Sequence, residues 1–404
     1  MAPQAEQPVF IETIKNKQPK KYGKTITKDK VEIWWSNAIL FISYHIIAAI
    51  GMYYYWTNDW RVLTLFFLNW QIGMLGITLG YHRFWSHKSY DATLPLRIVL
   101  AIMGTCGFQG SIKWWVLRHR LHHRYTDTDS DPYSSKRGLF YSHVGWIFVK
   151  SHYPKMKLID QSDLNDDPVV RFQHKYFIPL ALSIVLVVQP LLGYLWFGDA
   201  TAGLIWGGFI ARIAIWHCTF FINSLAHYLG DQDYSFEVTA RGNLILAMLT
   251  NGEGWHNYHH SFPFDYRNGV KLTDWDPTKW IIYALHTFTN LVPTVRRIPA
   301  QDIEKARKRI EAQRSGKPLM EDTIALPEMT LDQVKEKYHN TKCVIIENYV
   351  VDVEKFGDEH PGGEQVFKAY YGGKDCTAAY IKLNRHSEYA RSLVERLRVA
   401  KISQ

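Results

Sequence analysis

Histidines recur in tight groups along this chain, at spacings that suit metal binding. Two five-residue stretches, HRLHH and HNYHH, share the spacing H-x-x-H-H: His119, His122, His123, His256, His259 and His260. Residues three and four apart lie on one face of a helix, so the three rings of each stretch can point at one spot. A single histidine on an apolar face is more often a hydrogen-bonded core residue. Two copies of the same pattern favour a metal site.

Two further motifs add histidines to this set. HRFWSH contains His82 and His87, and NSLAHY contains Asn223 and His227, which are four residues apart and share a helical face. His82 and His87 are five apart, about 140 degrees on an ideal helix, so the helix must end or deform there if both bind metal. The four motifs hold nine of the 18 histidines. That is more than one iron ion can bind and a suitable number for two, although the spacing does not divide the ligands between them.

Apolar runs place these motifs next to a membrane. A membrane-spanning helix needs about 20 predominantly apolar residues, and four runs approach or exceed that length: 33–56, 62–80, 176–197 and 202–228. One such run alone could be a buried helix of a soluble enzyme, but four runs in two tight pairs predict a transmembrane domain. Shorter apolar stretches at 91–112 and 277–294 predict interfacial or re-entrant helices.

The charge pattern predicts the orientation of these spans. The net charge is +9, but an aromatic content of 15% with 15 Trp favours a membrane and argues against nucleic acid as a partner. Lysines precede the first run, whereas the turns at 57–61 and 198–201 carry one basic residue between them. The positive-inside rule then predicts that both termini, the 81–175 segment and all four motifs are cytosolic. The first 30 residues show no signal peptide, so we expect the first span to act as the targeting element.

A second unit follows the charged stretch 300–324, which we expect to be a helix that runs into a linker. Residues 325–404 carry the strand-like CVIIENYVVDV, then EHPGGE and NRHSEYA. The glycines after Pro361 force a turn that leaves the ring of His360 free to project, and His386 is the matching candidate. A surface role for His386 is an equal alternative. The predicted domains are a basic segment (1–30), a transmembrane domain (31–299), the charged helix and linker (300–324) and a small domain (325–404).

Both larger parts resemble known families. HRFWSH, HRLHH and HNYHH, together with RYTDTDSDPY, GLFYSHVGW and NSLAHY, resemble the histidine boxes of the membrane fatty acyl-CoA desaturases over about residues 30–295. HPGG, GKDCT and RHS resemble the haem-ligand motifs of cytochrome b5 domains over about 80 residues. A cytochrome b5 domain at the C-terminus is similar to the arrangement in the fungal acyl-CoA delta-9 desaturases of the stearoyl-CoA type.

The resemblance implies a fold, a set of ligands and a set of partners. The fold is mainly α: four transmembrane helices, a cytosolic helical cap with a histidine-rich di-iron site, and a small α+β cytochrome b5-like domain. All nine motif histidines would bind iron, Asn223 would hold a water ligand, and His360 and His386 would be the axial ligands of haem b. The implied partners are acyl-CoA, dioxygen, the endoplasmic reticulum membrane and an NADH-cytochrome b5 reductase.

The chemistry implied by the resemblance needs both metal sites. The middle of an alkyl chain offers no acidic proton and no leaving group, so acid–base and nucleophilic catalysis have nothing to act on. Iron with dioxygen can oxidise such a carbon, and imidazole is a suitable iron ligand. We expect a cis delta-9 double bond to be inserted into sixteen- and eighteen-carbon acyl-CoA, with two electrons from the tethered haem. A membrane di-iron hydroxylase is the alternative, and a membrane haem electron carrier is the non-enzyme alternative.

Further assignments concern side chains that contact the metal ligands or the substrate. Candidate carboxylate partners of the imidazoles are Asp127, Asp129, Asp131 and Glu253. Cations such as Arg118 and Lys150 could bind coenzyme A phosphates or anionic lipid heads. Met74 shares the helical face of His82, and Trp70 lies deeper in the second span, where it could form the floor of an acyl tunnel. Packing between spans or contact with lipid is the alternative for Trp70.

Overall fold

The structure, a computed structural model, describes residues 32–316, 325–357, 360, 363–383 and 386–403. Three features named above lie outside the described residues: the basic N-terminal segment, the 317–324 part of the linker, and the turn residues Pro361 and Gly362. Within the described residues the fold is mainly helical, with one small sheet near the C-terminus. The predicted fold class is confirmed.

Four helices are long and apolar enough to cross a membrane, as predicted, and we call them spans 1 to 4: Trp35–Tyr54, Trp60–Ser86, Pro168–Phe197 and Ala200–His227. In the most apolar part of spans 1 and 3, 22% of the residues are buried, against 50% in span 2 and 67% in span 4. Spans 2 and 4 therefore form the interior of the bundle. The exposed apolar side chains of spans 1 and 3 are available for contact with lipid.

Span 2 changes from α-helix to π-helix at Gly76–Ser86, the segment that carries HRFWSH. The N–H of His87 donates to the carbonyl of His82, five residues back, at 3.2 Å. Because a π turn is wider than an α turn, residues five apart come onto the same side of the axis. The ring centroids of His82 and His87 are 4.9 Å apart. The helix thus deforms as the five-residue spacing predicted.

Glycines allow helices to approach each other closely at two places. A Cβ on Gly193 of span 3 would lie 2.6 Å from the Cα of Gly203 in span 4. A Cβ on Gly76 of span 2 would lie 2.2 Å from the backbone nitrogen of Gly104. Gly104 belongs to the helix Leu94–Cys106, whose 13 residues are too few to cross a bilayer. This agrees with the short helix expected within 91–112.

Short helices cover one end of the spans and carry HRLHH and HNYHH, whereas NSLAHY lies at the end of span 4. The α-helices of this cap are Ile112–Tyr125, Leu139–His143, Ser162–Asp166, Leu244–Leu249, His256–Ser261 and Pro277–Phe288, and the 3-10 turns are Ser135–Arg137, Gly145–Ile147 and Pro154–Leu158. Buried side chains including Tyr81, Ile112 and Ile282 pack span 2 against the cap. HRLHH lies at the end of Ile112–Tyr125, a helix capped by the Ser111 hydroxyl, which accepts from the N–H of Trp114.

The C-terminal unit is a five-stranded sheet in the order β1-β5-β3-β2-β4. Its strands are β1 Glu328–Met329, β2 Cys343–Ile346, β3 Tyr349–Asp352, β4 Lys374–Asp375 and β5 Arg398–Ile402, and its helices are Leu331–Tyr338, Gln365–Lys368, Thr377–Leu383 and Glu388–Arg396. The segment CVIIENYVVDV forms the β2–β3 hairpin. Alternate residues of β2 pack on opposite faces of the sheet, so each face has its own apolar core. The helix Ala300–Ser315 precedes this unit.

Candidate metal centre

The nine histidines of the four motifs meet in two groups of ring nitrogens. The five-histidine group contains His82, His87, His119, His123 and His259, and the four-histidine group contains His122, His227, His256 and His260. In each group, one ring nitrogen per residue lies within 4.8 Å of all the others. The structure therefore offers two adjacent sites for metal ions and divides the ligands between them.

Facing nitrogens in the groups are separated by distances that suit a shared ion. His259 Nε2 lies 2.9 Å from His82 Nε2 and 3.0 Å from His123 Nε2. In the four-histidine group, His256 Nε2 lies 3.2 Å from His227 Nε2. Two imidazole nitrogens bound at right angles, each about 2.1 Å from a first-row ion such as zinc, would be about 3.0 Å apart. One proton on His259 Nε2 cannot bridge two neighbours at once, whereas an ion between them can.

Burial holds the rings in the form that binds metal. Burial, which disfavours the charged form, and the neighbouring imidazoles together lower the pKa well below 6.5 for His87, His119, His123, His256, His259 and His260. A neutral imidazole keeps one nitrogen lone pair for an ion. The donor set therefore fits two metal ions.

The expectation that all three rings of an H-x-x-H-H stretch point at one spot is wrong. His119 and His123 belong to the five-histidine group, but His122 joins the other. In the same way His256 and His260 share a group, and His259 crosses to the five-histidine group. Neighbouring residues are about 100 degrees apart on a helix. His122 and His123 therefore cannot face one ion, and the same holds for His259 and His260. Residues four apart therefore lie in one group, and the third histidine of each stretch lies in the other.

Hydrogen-bonding partners orient the rings from outside. His122 Nδ1 lies 2.9 Å from Asp131 Oδ1, and His82 Nδ1 lies 2.7 Å from Glu253 Oε2. Such outer partners fix the ring orientation and raise the basicity of the ligand. His227 has a partner of another kind, the hydroxyl of Thr239, at 2.8 Å.

Two of the predicted carboxylates do not contact a ligand directly. The Thr239 hydroxyl that faces His227 donates to Asp127 Oδ1 at 2.8 Å, so Asp127 acts through Thr239. Asp129 is exposed. Thr239 itself was not predicted, because nothing in the sequence relates it to His227, which lies 12 residues before it.

Glu253 is held by a buried ion network that sequence reasoning also missed. The Arg83 guanidinium lies 3.0 Å from Glu253 and 2.9 Å from Asp276, and all three side chains are buried. Asn268 Nδ2 donates to Glu253 Oε2 at 2.6 Å. Gly252 has a φ of 105°, and a Cβ there would lie 2.4 Å from Asp276 Oδ1. Only glycine therefore fits this turn, which brings HNYHH, the third histidine motif in the order HRFWSH, HRLHH, HNYHH, against the network.

Replacing Glu253 is expected to weaken metal binding at one group only. Glu253→Gln should lower the metal affinity of the five-histidine group about 10- to 100-fold, the usual effect of losing an outer partner. Asp131→Asn should do the same to the four-histidine group. Iron release to a chelator, followed over time, should show one fast-releasing ion in either variant. Release at the wild-type rate from both variants would contradict these roles.

The end of span 4 differs from the expected single helical face. The α-helix ends at Asn223, and His227 lies in the 3-10 turn Leu225–His227. The break occurs at Ser224, whose φ and ψ are −114° and −83°. Asn223 is half-buried at this end. Its role as the holder of a water ligand stays a prediction.

The predicted substrate contacts have partners within the chain. The Arg118 guanidinium lies over the ring of Trp114 at 3.8 Å, and Lys150 Nζ lies 2.7 Å from Glu32 Oε1 on the surface. Met74 is buried and packs with Ile215 and Cys218 of span 4, and Trp70 lies against the same cluster. The assignments of Arg118, Lys150, Met74 and Trp70 to the substrate stay predictions.

The candidate haem ligands lie close together in the C-terminal unit. Burial and the nearby His386 lower the pKa of His360 to about 4. The ring of His360 lies 4.9 Å from that of Phe367, and the ring of His386 stacks on Tyr380 at 4.1 Å. Two neighbouring imidazoles between aromatic walls fit a flat, apolar group with two open axial positions.

A membrane-spanning helical domain with two histidine groups, followed by a domain with paired histidines, defines a class of membrane oxidoreductases that receive electrons through a haem. The sequence profile of the fatty acid desaturase family matches residues 54–275, and the profile of the cytochrome b5-like heme/steroid binding domain matches residues 330–403. The chain belongs to the fatty acid desaturase family. The predicted oxidoreductase class and the predicted di-iron and haem cofactors are confirmed.

Curated relatives extend this similarity over most of the chain. Acyl-CoA desaturase 1 of Saccharomyces cerevisiae is 42% identical over 343 residues, which are 82% of this chain and 66% of the relative, slightly less than two thirds. A probable acyl-CoA desaturase of Schizosaccharomyces pombe is 38% identical over 91% of this chain and 77% of its own length. A Delta(9)-fatty-acid desaturase of Caenorhabditis elegans is 39% identical over 63% of this chain and 76% of its own length.

Proposed function

We propose that the chain is an oxygen-dependent acyl-CoA desaturase. It inserts a cis delta-9 double bond into saturated sixteen- and eighteen-carbon acyl-CoA, with electrons from its own haem domain. The observation that carries the proposal is the meeting of nine histidines in two groups at one end of membrane spans, in the same chain as a paired-histidine domain. The names of the two fungal relatives support acyl-CoA as the substrate class.

The residues divide the work between two sites. Two iron ions held by the histidine groups supply, with dioxygen, the oxidising power to remove two hydrogens from an unactivated methylene pair. The protein keeps six of the imidazoles neutral through burial and orients three rings through Glu253, Asp131 and Thr239. Dioxygen takes four electrons to become water, of which the substrate gives two. A haem between His360 and His386 would pass on the other two, one at a time.

Expression in a desaturase-deficient host tests this function. Mass spectrometry of the fatty acids should show new monounsaturated sixteen- and eighteen-carbon chains with the double bond at carbon nine. Hydroxylated chains in their place would favour the hydroxylase alternative. Haem without iron, and no new product, would favour an electron carrier.

The location and the redox partner complete the proposal. We infer that the chain lies in the endoplasmic reticulum membrane with both termini in the cytosol, where an NADH-cytochrome b5 reductase can reduce the haem. The charge difference between the lysine-rich segment and the short turns supports this orientation. Glycosylation acceptor sites introduced into the turns at 57–61 and 198–201 should be modified, because both turns would face the lumen.

Trp70→Ala is expected to shift the products toward longer chains if Trp70 closes the acyl tunnel. Each additional buried methylene would then gain about 0.8 kcal/mol. The measurement is the ratio of eighteen- to sixteen-carbon products. Phe67→Ala is a matched control, because Phe67 lies on the same helix, with its ring 5.8 Å from that of Trp70, and is 51% exposed. An unchanged ratio in an active Trp70→Ala variant would show that Trp70 only packs between spans.

A further inference from the structure

Two ion pairs join the haem domain to the rest of the chain, one to the helix Ala300–Ser315 and one to Glu237, between span 4 and the helix Leu244–Leu249. Arg396 Nη1 lies 2.7 Å from each carboxylate oxygen of Asp302, and Arg391 pairs with Glu237. In both pairs the haem domain contributes the arginine and the rest of the chain contributes the carboxylate. The Asp302 side chain is 8% exposed and that of Arg396 is 37% exposed, so the carboxylate of this pair is withdrawn from water and the guanidinium is partly exposed.

Glu237 also binds the start of a helix in the haem domain. The backbone N–H of Glu388, the first residue of the helix Glu388–Arg396, donates to Glu237 Oε2 at 2.7 Å. The first N–H groups of a helix have no partner inside the helix, and the helix dipole favours an anion there. The carboxylate of one domain therefore caps a helix of the other. The capped end lies two residues after His386.

An aromatic contact lies beside these pairs. The ring of Tyr389, three residues after His386, lies 5.0 Å from the ring of Phe262 with an interplanar angle of 71°. Phe262 is 1% exposed and directly follows His256–Ser261, the helix that carries three metal-ligand candidates. A cavity of about 660 Å³ adjoins this contact, and its lining includes Tyr389, His123 and His260. The haem-ligand segment and the third histidine motif thus meet through two side chains.

We propose that Glu237 and Asp302 are positioning residues that dock the haem domain with Tyr389 on Phe262, so that electrons enter the metal centre at its third histidine motif. The inference rests on the proposed function, because it assigns the route by which electrons reach the metal centre of the proposed desaturase. His360 and His386 would hold the haem that supplies each electron and is itself oxidised, and the two histidine groups would hold the iron that is reduced. A tether raises the local concentration of the donor but does not orient it. The ion pairs and the helix cap supply the orientation.

Charge reversal and charge exchange test the docking in the full-length holoenzyme. Asp302→Arg and Arg396→Asp should each slow the reoxidation of pre-reduced haem, in the presence of stearoyl-CoA and dioxygen, by about tenfold, a size typical of contacting pairs. The double variant, which exchanges the two charges, should recover most of the rate. Lys401→Glu is the control, because it reverses a charge of the same domain in an exposed pair with Glu328.

Amide hydrogen exchange gives a readout that does not depend on turnover. The N–H groups at the start of Glu388–Arg396 should exchange faster in Glu237→Gln and Arg396→Asp than in the wild type, and at the wild-type rate in Lys401→Glu. The arginine introduced by Asp302→Arg is placed at a buried position. If it prevents folding, Arg396→Gln is used instead, because the Arg396 side chain is 37% exposed.

Three outcomes would overturn the inference. The first is wild-type reoxidation and exchange in the single variants, and the second is no recovery in the charge-exchanged double variant. The third is slow reoxidation with unchanged exchange, which would mean that the domain is not held by these pairs. Failure of the proposed function looks different, because the chain would then make no unsaturated product with its own haem or with added cytochrome b5.

Discussion

His259→Ala and His122→Ala are each expected to abolish desaturation while the haem spectrum stays intact. His259 belongs to the five-histidine group and His122 to the four-histidine group, so each variant removes a ligand from a different ion. The wild-type protein should contain about two non-haem irons per chain, and each variant about one. Because the reaction needs both ions, activity should fall by more than about 100-fold, beyond the 10- to 100-fold effect of losing an outer partner.

Metal analysis together with product assays checks this prediction. Iron is measured by elemental analysis after correction for haem, and product by mass spectrometry of acyl chains. His152→Ala is the matched control, because His152 is exposed and belongs to neither group. Full activity in either ligand variant would refute the assignment. Loss of both irons in each variant would show that the two sites bind cooperatively.

Removal of the haem domain is expected to make the enzyme depend on an added electron donor. A chain cut after Asp322 should keep its iron. With reductase as the only added protein, its activity should fall by more than about 100-fold. Attachment of the donor to the same chain gives an effective concentration on the order of millimolar. Separate cytochrome b5 at micromolar concentration should therefore restore only part of the rate, and the rate should rise with donor concentration.

His360→Ala in the full-length chain separates the loss of haem from the loss of the domain. This variant should lose the haem spectrum and its self-supplied activity while the sheet stays folded. His339→Ala is the control, because His339 is exposed in the same domain and hydrogen-bonds to the carbonyl of Glu336. A shortened enzyme that works at the full rate without any added donor would exclude the haem domain as the electron source.

Local sequence patterns were sufficient to predict the candidate metal ligands, the four spans and the C-terminal unit. The apolar runs predicted four membrane helices, and the spacing of His82 and His87 predicted a deformed helix, which the π-helix at Gly76–Ser86 provides. The strand-like segment at 343–353 forms strands as expected, and the two strands pair as a hairpin. These features depend on contiguous residues, because hydrophobic periodicity and helix geometry act within a few turns of the chain.

The sequence by itself therefore determined which histidines are candidate metal ligands. Only the tertiary structure decided how these histidines divide into two groups and which side chains orient them. The division of the nine histidines into two groups depends on how the ends of spans 2 and 4 meet the helices Ile112–Tyr125 and His256–Ser261. The pair Arg83–Glu253 joins residues 170 apart in the chain, and Thr239–Asp127 joins residues 112 apart. The pair Arg391–Glu237 spans 154 residues and links the two domains. No periodicity marks such partners, because packing brings them together only when the chain folds.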